Sequence, residues 1–355
     1  NGREDHTLFL ILVTSAEDVI SKHIPNAGCE DVIERASRFR QKVTRFERDY
    51  LSDAQQLYEW LIRPLTAELQ QNEINNLVFI MDQGLRATPL AALHDGQEFL
   101  VQNYSLGLMP SLNIANTQYQ APQNLSILPA GISNFETVDL RDLPAVPFEI
   151  FNITDNWQEN AEPLLDNEAT RANLRNARSN TPYGIVHLAT HAFFERGKPN
   201  QSYIQLWDEK LRLSDVRAMG WNSPAVELLI LSACETAKDS YEAELGFAGF
   251  ASQAGVKSTL ASLWQVSDIG TAGLMIEFYT KLRSSENSIK ADALQEAQLA
   301  MLNGTVQLNA DLLAWSSGNI PLSDEVRRAL KQSDGIPDLS HPFYWSGFTL
   351  VGSPW

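Results

Sequence analysis

Residues 184–191 read GIVHLATH, and residues 226–234 read VELLILSAC. Both are short, nearly unbroken apolar runs. Each ends on a side chain able to do chemistry, His191 in the first and Cys234 in the second. A half-exposed strand alternates apolar and polar residues, so an unbroken run means cover on both faces. Helical patterns surround these runs at 169–177, 245–254, 269–282 and 291–302, and further strands are read at 203–206, 258–263 and 344–351. Buried strands separated by helices specify an α/β fold with a mostly parallel sheet flanked by helices.

Upstream the pattern is different. Residues 7–14 are read as a buried strand. Residues 31–50 place Val32, Ala36, Phe39, Val43 and Phe46 three and four apart, which predicts an amphipathic helix. A second helix is expected from an N-cap at Ser52-Asp53 through Leu69, interrupted at Pro64. Strands follow at 77–81 and 100–108, with a short helix opening at Pro110-Ser111. Residues 118–147 are rich in Pro, Gln and Asn and end in Leu143-Pro144-Ala145-Val146-Pro147, which reads as a boundary. The expected division is an N-terminal α/β half over 1–147 and a second half over 148–355, sharing one sheet or packed tightly together. Residues 303–342 read as irregular.

Composition narrows the function. The chain has 355 residues, with Lys+Arg 27 against Asp+Glu 44, a net charge of −17. Such a balance argues against binding nucleic acid through a basic field. Cys29 and Cys234 are the only cysteines, too few for a disulfide framework or a thiolate zinc site. The apolar run at 8–13 is far too short to cross a bilayer, and Arg3-Glu4-Asp5 is not the flank of a signal peptide. A cytoplasmic, reducing compartment is expected, and the start at Asn1 reads as a piece of a longer polypeptide. No partner membrane, nucleic acid, metal or cofactor is expected.

In open α/β sheets ligands bind beyond the carboxyl ends of the strands. His191 and Cys234 stand at two such ends. Cysteine and histidine are the minimum set for thiol catalysis, because a thiol is mostly neutral at pH 7 and needs a base beside it. The rival reading is a small buried thiol and a structural histidine. His187 shares a face with His191 but lies inside its strand, so a packing role is expected for it. Cys29 is read as incidental. No H-E-x-x-H, G-x-S-x-G or phosphate-binding glycine loop is present.

These residues resemble the CHAT family (caspase HetF associated with TPRs). The similarity is carried by His187-Leu188-Ala189-Thr190-His191, by Leu231-Ser232-Ala233-Cys234-Glu235-Thr236, and by Gly246-Phe247-Ala248 through Leu263-Trp264-Gln265-Val266-Ser267-Asp268. It is carried also by 79–93 (FIMDQGLRATPLAAL), by Pro110-Ser111-Leu112, and by His341-Pro342-Phe343-Tyr344-Trp345-Ser346-Gly347-Phe348. The resemblance implies a caspase-like fold and peptide hydrolysis by a Cys-His dyad. Cys234 becomes the nucleophile and His191 the general base and acid, with the oxyanion held by the backbone N–H groups of Ala192 and Cys234. The family's usual residue after the histidine is Gly. Ala192 supplies the N–H where the backbone needs no positive φ. By similarity to the separase segment, Asp268 binds a basic P1 residue, with Trp264 as a pocket wall. The rival for Asp268 is a helix N-cap or first-turn carboxylate. The polar loop 236–244 is expected to be mobile, with Lys238 a site of self-cleavage. The first half resembles the non-catalytic, pseudo-caspase-like part seen beside related proteases, and a TPR-containing or other regulatory segment is expected outside this chain. The overall reading is a cysteine endopeptidase cleaving proteins after Arg or Lys in a regulatory role. The alternatives are a catalytically silent caspase-like scaffold and a thiol hydrolase of small esters or amides.

Overall fold

The computed structural model describes residues 7–14, 18–111, 126–135, 140–157, 162–193, 201–234, 254–284, 289–332 and 335–355. At the N-terminal end β1 (Thr7–Val13) and β2 (Val19–Gly28) form an antiparallel hairpin. The expectation of a buried strand at 7–14 is corrected: Leu8, Leu10 and Leu12 pack inward, while Phe9, Ile11 and Val13 stay exposed. Helix α1 (Cys29–Thr44) buries Val32, Ala36, Phe39 and Val43, the stripe that the spacing predicts. Phe46 falls outside it, at a φ of 58° that no helix continues. Pro64 divides the next helical stretch into α2 (Tyr50–Leu61), a 3-10 turn over Arg63–Leu65, and α3 (Thr66–Gln71). Asp53 is not the cap of α2. It lies inside that helix, where its buried carboxylate takes Arg35, Arg38 and Lys42 at 2.9, 2.9 and 3.0 Å.

The remaining elements are β3 (Asn76–Phe79), β4 (Ser105–Leu108), β5 (Ile127–Gly131), α4 (Val146–Trp157), β6 (Leu164–Leu165), α5 (Arg171–Asn180) and β7 (Ile185–Phe193). They continue through β8 (Tyr203–Gln205), β9 (Lys210–Arg212), β10 (Leu228–Cys234), β11 (Ser258–Ser262), α6 (Asp268–Ser284) and α7 (Lys290–Leu302). Last come β12 (Gln307–Leu308), β13 (Leu312–Trp315), β14 (Gly318–Pro321), α8 (Asp324–Gln332), α9 (Pro342–Trp345) and β15 (Phe348–Gly352). The main sheet runs β3-β4-β15-β11-β10-β7-β5-β6, with β8 and β9 folded onto the end of β7. Along that order every neighbouring pair is parallel except β11 with β15. β12–β14 form a small antiparallel sheet, so the reading of 303–342 as irregular is corrected.

Alternation along the central strands feeds two cores. Ile185, Leu228 and Ile230 pack with Ile153, Leu274 and Phe278 on the face covered by α4 and α6. Val186, Leu188, Leu229 and Leu231 pack with Leu174 and Val216 on the face covered by α5 and the turn over Leu213–Met219. Both faces are thus covered, which is why these strands read as unbroken apolar runs. β3, β4 and β5 come from residues 1–147 and share the sheet with strands from 148–355. Residue 147 lies within α4. The helix read at 245–254 and the one read after Pro110-Ser111 fall almost entirely outside the described residues.

Candidate active site

β7 and β10 lie side by side in parallel, so their carboxyl ends open together. Their register is regular from Leu228 opposite Ile185 to Leu231 opposite Leu188. It then shifts: Ala233 stands opposite His191 and Cys234 opposite Ala192. Ala189 and Thr190 therefore face the single residue Ser232, a bulge that re-aims the end of β7 beside the strand carrying Cys234. Thr190 ties the shifted end to β8 by donating from Oγ1 to the Gln205 carbonyl at 2.8 Å. The sequence-derived pair is therefore adjacent in backbone register. The side chain of Cys234 and the loop 236–244 with Lys238 lie outside the described residues.

His191 is buried, at 2% exposure. Its Nε2 stands 2.7 Å from the backbone carbonyl of Arg141. A carbonyl only accepts, so Nε2 carries the proton, and in the neutral ring Nδ1 is the basic nitrogen. Phe135 packs on the imidazole at 4.7 Å between centroids. Arg141 and Phe135 belong to the strap that leaves β5 and enters α4, and that strap is held at several points. Ile132 N–H donates to the Ala189 carbonyl at 3.0 Å, and Leu143 N–H to Ser133 at 2.9 Å. The Asp166 carboxylate accepts from the N–H and the hydroxyl of Ser133, and Asp142 accepts from Phe135 N–H. The ring's tautomer is therefore set by backbone that residue types alone do not reveal.

Asp268 opens α6, the place its rival reading gives it. Its Oδ2 also accepts from the N–H of Ala145 at 2.6 Å, just ahead of α4. Burial pushes its carboxyl up to about 7, and the Glu149 charge acts in the same direction, opposed by the Ala145 N–H and by Arg141. One short strap thus joins the two candidate residues, with Arg141 on His191 and Ala145 on Asp268. Trp264 sits in the core. It is 4% exposed, donates from Nε1 to the Phe343 carbonyl at 3.1 Å, and leaves no room for a Cβ at Gly347. Ala192 lies in the extended backbone of β7 with its methyl buried, so the alanine fits without a positive φ. Cys29 is the exposed first residue of α1, far along the chain from both strand ends.

His187 has a packing role of a particular kind. It is wholly buried, with Nε2 2.8 Å from Glu149 Oε1 and Nδ1 3.1 Å from the Tyr279 hydroxyl. These three side chains pin β7 to α4 and α6. Burial, and after it the Glu149 charge, holds the Tyr279 phenol well above its usual range. Sequence reading did not find Glu149. The available signal was a lone carboxylate inside the apolar stretch 146–153. Among the described residues no group of His, Cys, Asp and Glu is arranged to hold a metal ion, and no helix is long and apolar enough to cross a membrane.

A mostly parallel sheet covered by helices, with histidine and cysteine on adjacent strand ends, is the arrangement of a caspase-like α/β fold. The model of the CHAT domain matches residues 51–353, and the chain belongs to the CHAT-domain family. No curated protein matches it in sequence. Among solved structures it is similar to the Arg-specific cysteine proteinase gingipain R, at 11% identity and a TM-score of 0.48, covering 92% of this chain and 74% of that one. It is also similar to the complex of Porphyromonas gingivalis RgpB pro- and mature domains, at 10% identity and a TM-score of 0.42, covering 92% of this chain and 76% of that one.

Proposed function

We propose that the chain is a cysteine endopeptidase that cleaves proteins after Arg or Lys through Cys234 and His191. The observation that carries the reading is the register at the strand ends, where Cys234 stands opposite Ala192 and next to His191, whose Nε2 is fixed by Arg141. In this mechanism Nδ1 of His191 takes the thiol proton as sulfur attacks the scissile carbonyl carbon. The oxyanion is held by the N–H groups of Ala192 and Cys234. Collapse breaks the C–N bond, and His191 returns the proton to the leaving amine, leaving a thioester. Water, deprotonated by His191, attacks the thioester and restores the thiol as the acid leaves.

For the basic P1 residue the proposed contact is Asp268. A guanidinium beside it favours the charged carboxylate and offsets the burial that now raises its pKa. The net charge of −17 favours encounter with basic segments. Trp264 is assigned to support the pocket from within the core. The protein is placed in the cytoplasm, under control of a TPR-containing or other regulatory segment. The second reading, a silent scaffold, rests on Ala192 standing where the family has Gly.

Fluorogenic peptides ending in Arg, Lys or Asp separate the readings. Cleavage of the basic peptides, lost in Cys234→Ala and His191→Ala but kept in Cys29→Ala, supports the peptidase. No turnover with or without candidate regulators supports the scaffold. Unchanged Arg cleavage in Asp268→Ala removes that residue from the pocket.

A further inference from the structure

β3 ends the main sheet and β1 ends the hairpin, and among the described residues no strand pairs with the outer edge of either. The two edges line one apolar cavity of about 180 Å³, walled by residues 8–12 and 77–82 and floored by Leu61, Ile62, Leu65 and Leu69. Successive residues of a strand point to opposite faces. A cavity that touches consecutive residues of both strands therefore runs along their edges.

The backbone shows which groups meet it. Asn75 and Phe79 carbonyls accept from Ser105 and Met109 at 2.9 and 2.8 Å, across to β4. In a parallel ladder a residue aims its N–H and C=O to one side, and its neighbours aim theirs to the other. Asn76, Val78 and Ile80 thus aim away from β4. In the hairpin, Thr14 N–H donates to the Asp18 carbonyl at 3.1 Å, which makes that pair hydrogen-bonded. By alternation Leu12, Leu10 and Leu8 bond to β2, and Phe9, Ile11 and Val13 aim outward.

We propose that this slot is a strand-acceptor site, filled by an extended segment of a partner protein that pairs with β1 on one side and β3 on the other. Insertion would join the hairpin to the main sheet in a continuous ladder. The chemistry of the occupant follows from the walls. Both edges require backbone donors, which excludes proline at the bonded positions. The floor and sides require alternate apolar side chains. Asp82, three residues beyond the end of β3, is the charged residue of the lining and pairs with a Lys or Arg of the incoming strand. Four strands, β4, β15, β11 and β10, separate β3 from β7, so the site stands apart from the strand end carrying His191.

The test uses a fluorescein-labelled peptide of alternating valine and threonine with a lysine at each end, added to the whole chain. Its control is N-methylated at the central residues, which keeps the apolar surface and removes the donors. Fluorescence polarisation is expected to saturate with the probe and to weaken roughly tenfold or more with the control and with Asp82→Lys. Amide exchange is expected to slow at 9–13 and 76–80 and to stay unchanged at 187–193. Equal binding of the control overturns the proposal, as does unchanged exchange at those edges with saturating probe. Amides of Ile11 and Val78 already protected in the free chain overturn it as well. Val78→Pro removes a donor from the slot and is expected to abolish binding. Where that variant does not fold, Ile11→Pro removes the facing donor on the hairpin.

Discussion

His187→Ala removes a ring that joins β7 to α4 and α6. The side chain is fully buried, with Glu149 at 2.8 Å and the Tyr279 hydroxyl at 3.1 Å. The hydrogen bond to the carboxylate contributes about 1.5–3 kcal/mol and the one to the phenol about 1 kcal/mol. The larger effect is what remains. Glu149 is itself 1% exposed and loses its donor partner, and a buried charged acceptor left unsatisfied costs its desolvation, about 3 kcal/mol or more. The expected total is therefore about 3–5 kcal/mol, read from urea unfolding followed by tryptophan fluorescence at a shared m value. Glu149→Gln and the double variant complete a cycle. Because the two side chains share one network, the double loss is expected to fall short of the sum by about 1 kcal/mol or more. A cost for His187→Ala below about 1 kcal/mol, or strict additivity, refutes the account of a pinned network.

Asp268→Asn tests the raised carboxyl. With the group at about 7 in the fold and 3.8 as its ordinary value, the native state keeps a proton that the unfolded chain releases, so stability falls as pH rises through that window. The variant is expected to gain stability at pH 8, by at most about 4 kcal/mol before solvent screening, and almost nothing at pH 4. An equal gain at both pH values contradicts the cause. Lys290, fully buried with Nζ 3.5 Å from the Glu227 carbonyl, is pushed down to about 8 from 10.5 by burial. The wild-type chain should gain stability between pH 8 and 10.5, whereas Lys290→Met should lack that slope and exceed wild type at pH 7 by up to about 3 kcal/mol in denaturant melts. Gly131→Ala places a Cβ 2.5 Å from Val146 and 3.3 Å from the Ala189 carbonyl. It should cost about 1–3 kcal/mol in thermal melts and, by lifting α4 and the strap with it, lower any peptide cleavage.

β7 and β10 were legible because cover on both faces writes an unbroken apolar run into the sequence, and His191 and Cys234 were legible because they end those runs. α4 was not. Its start reads as a boundary because two prolines flank Ala145-Val146, yet Pro147 is only the second residue of the helix, where a missing N–H breaks no hydrogen bond. β5 lies inside the stretch read as a boundary, and Pro129 in the middle of it hides the strand pattern. The hairpin was missed on its second strand, where Lys22, Pro25 and Asn26 dilute the pattern. The partner of His191 was out of reach in principle. It is a carbonyl, which every residue carries, and only the path of the strap brings that of Arg141 to the ring.

The position of β15 has a consequence for how the molecule is made. Phe348–Gly352 pairs with β11 on one side and β4 on the other, so in the main sheet it alone connects β3 and β4 to the strands bearing His191 and Cys234. During synthesis β4 leaves the ribosome long before its neighbour exists. The two early strands must wait with an open edge until residues 348–352 emerge, and contacts so distant in sequence form slowly. Completion of the sheet is therefore a late step of biosynthesis. A chain stopped short of residue 348 keeps both residues of the proposed dyad but lacks the strand that closes the sheet around them.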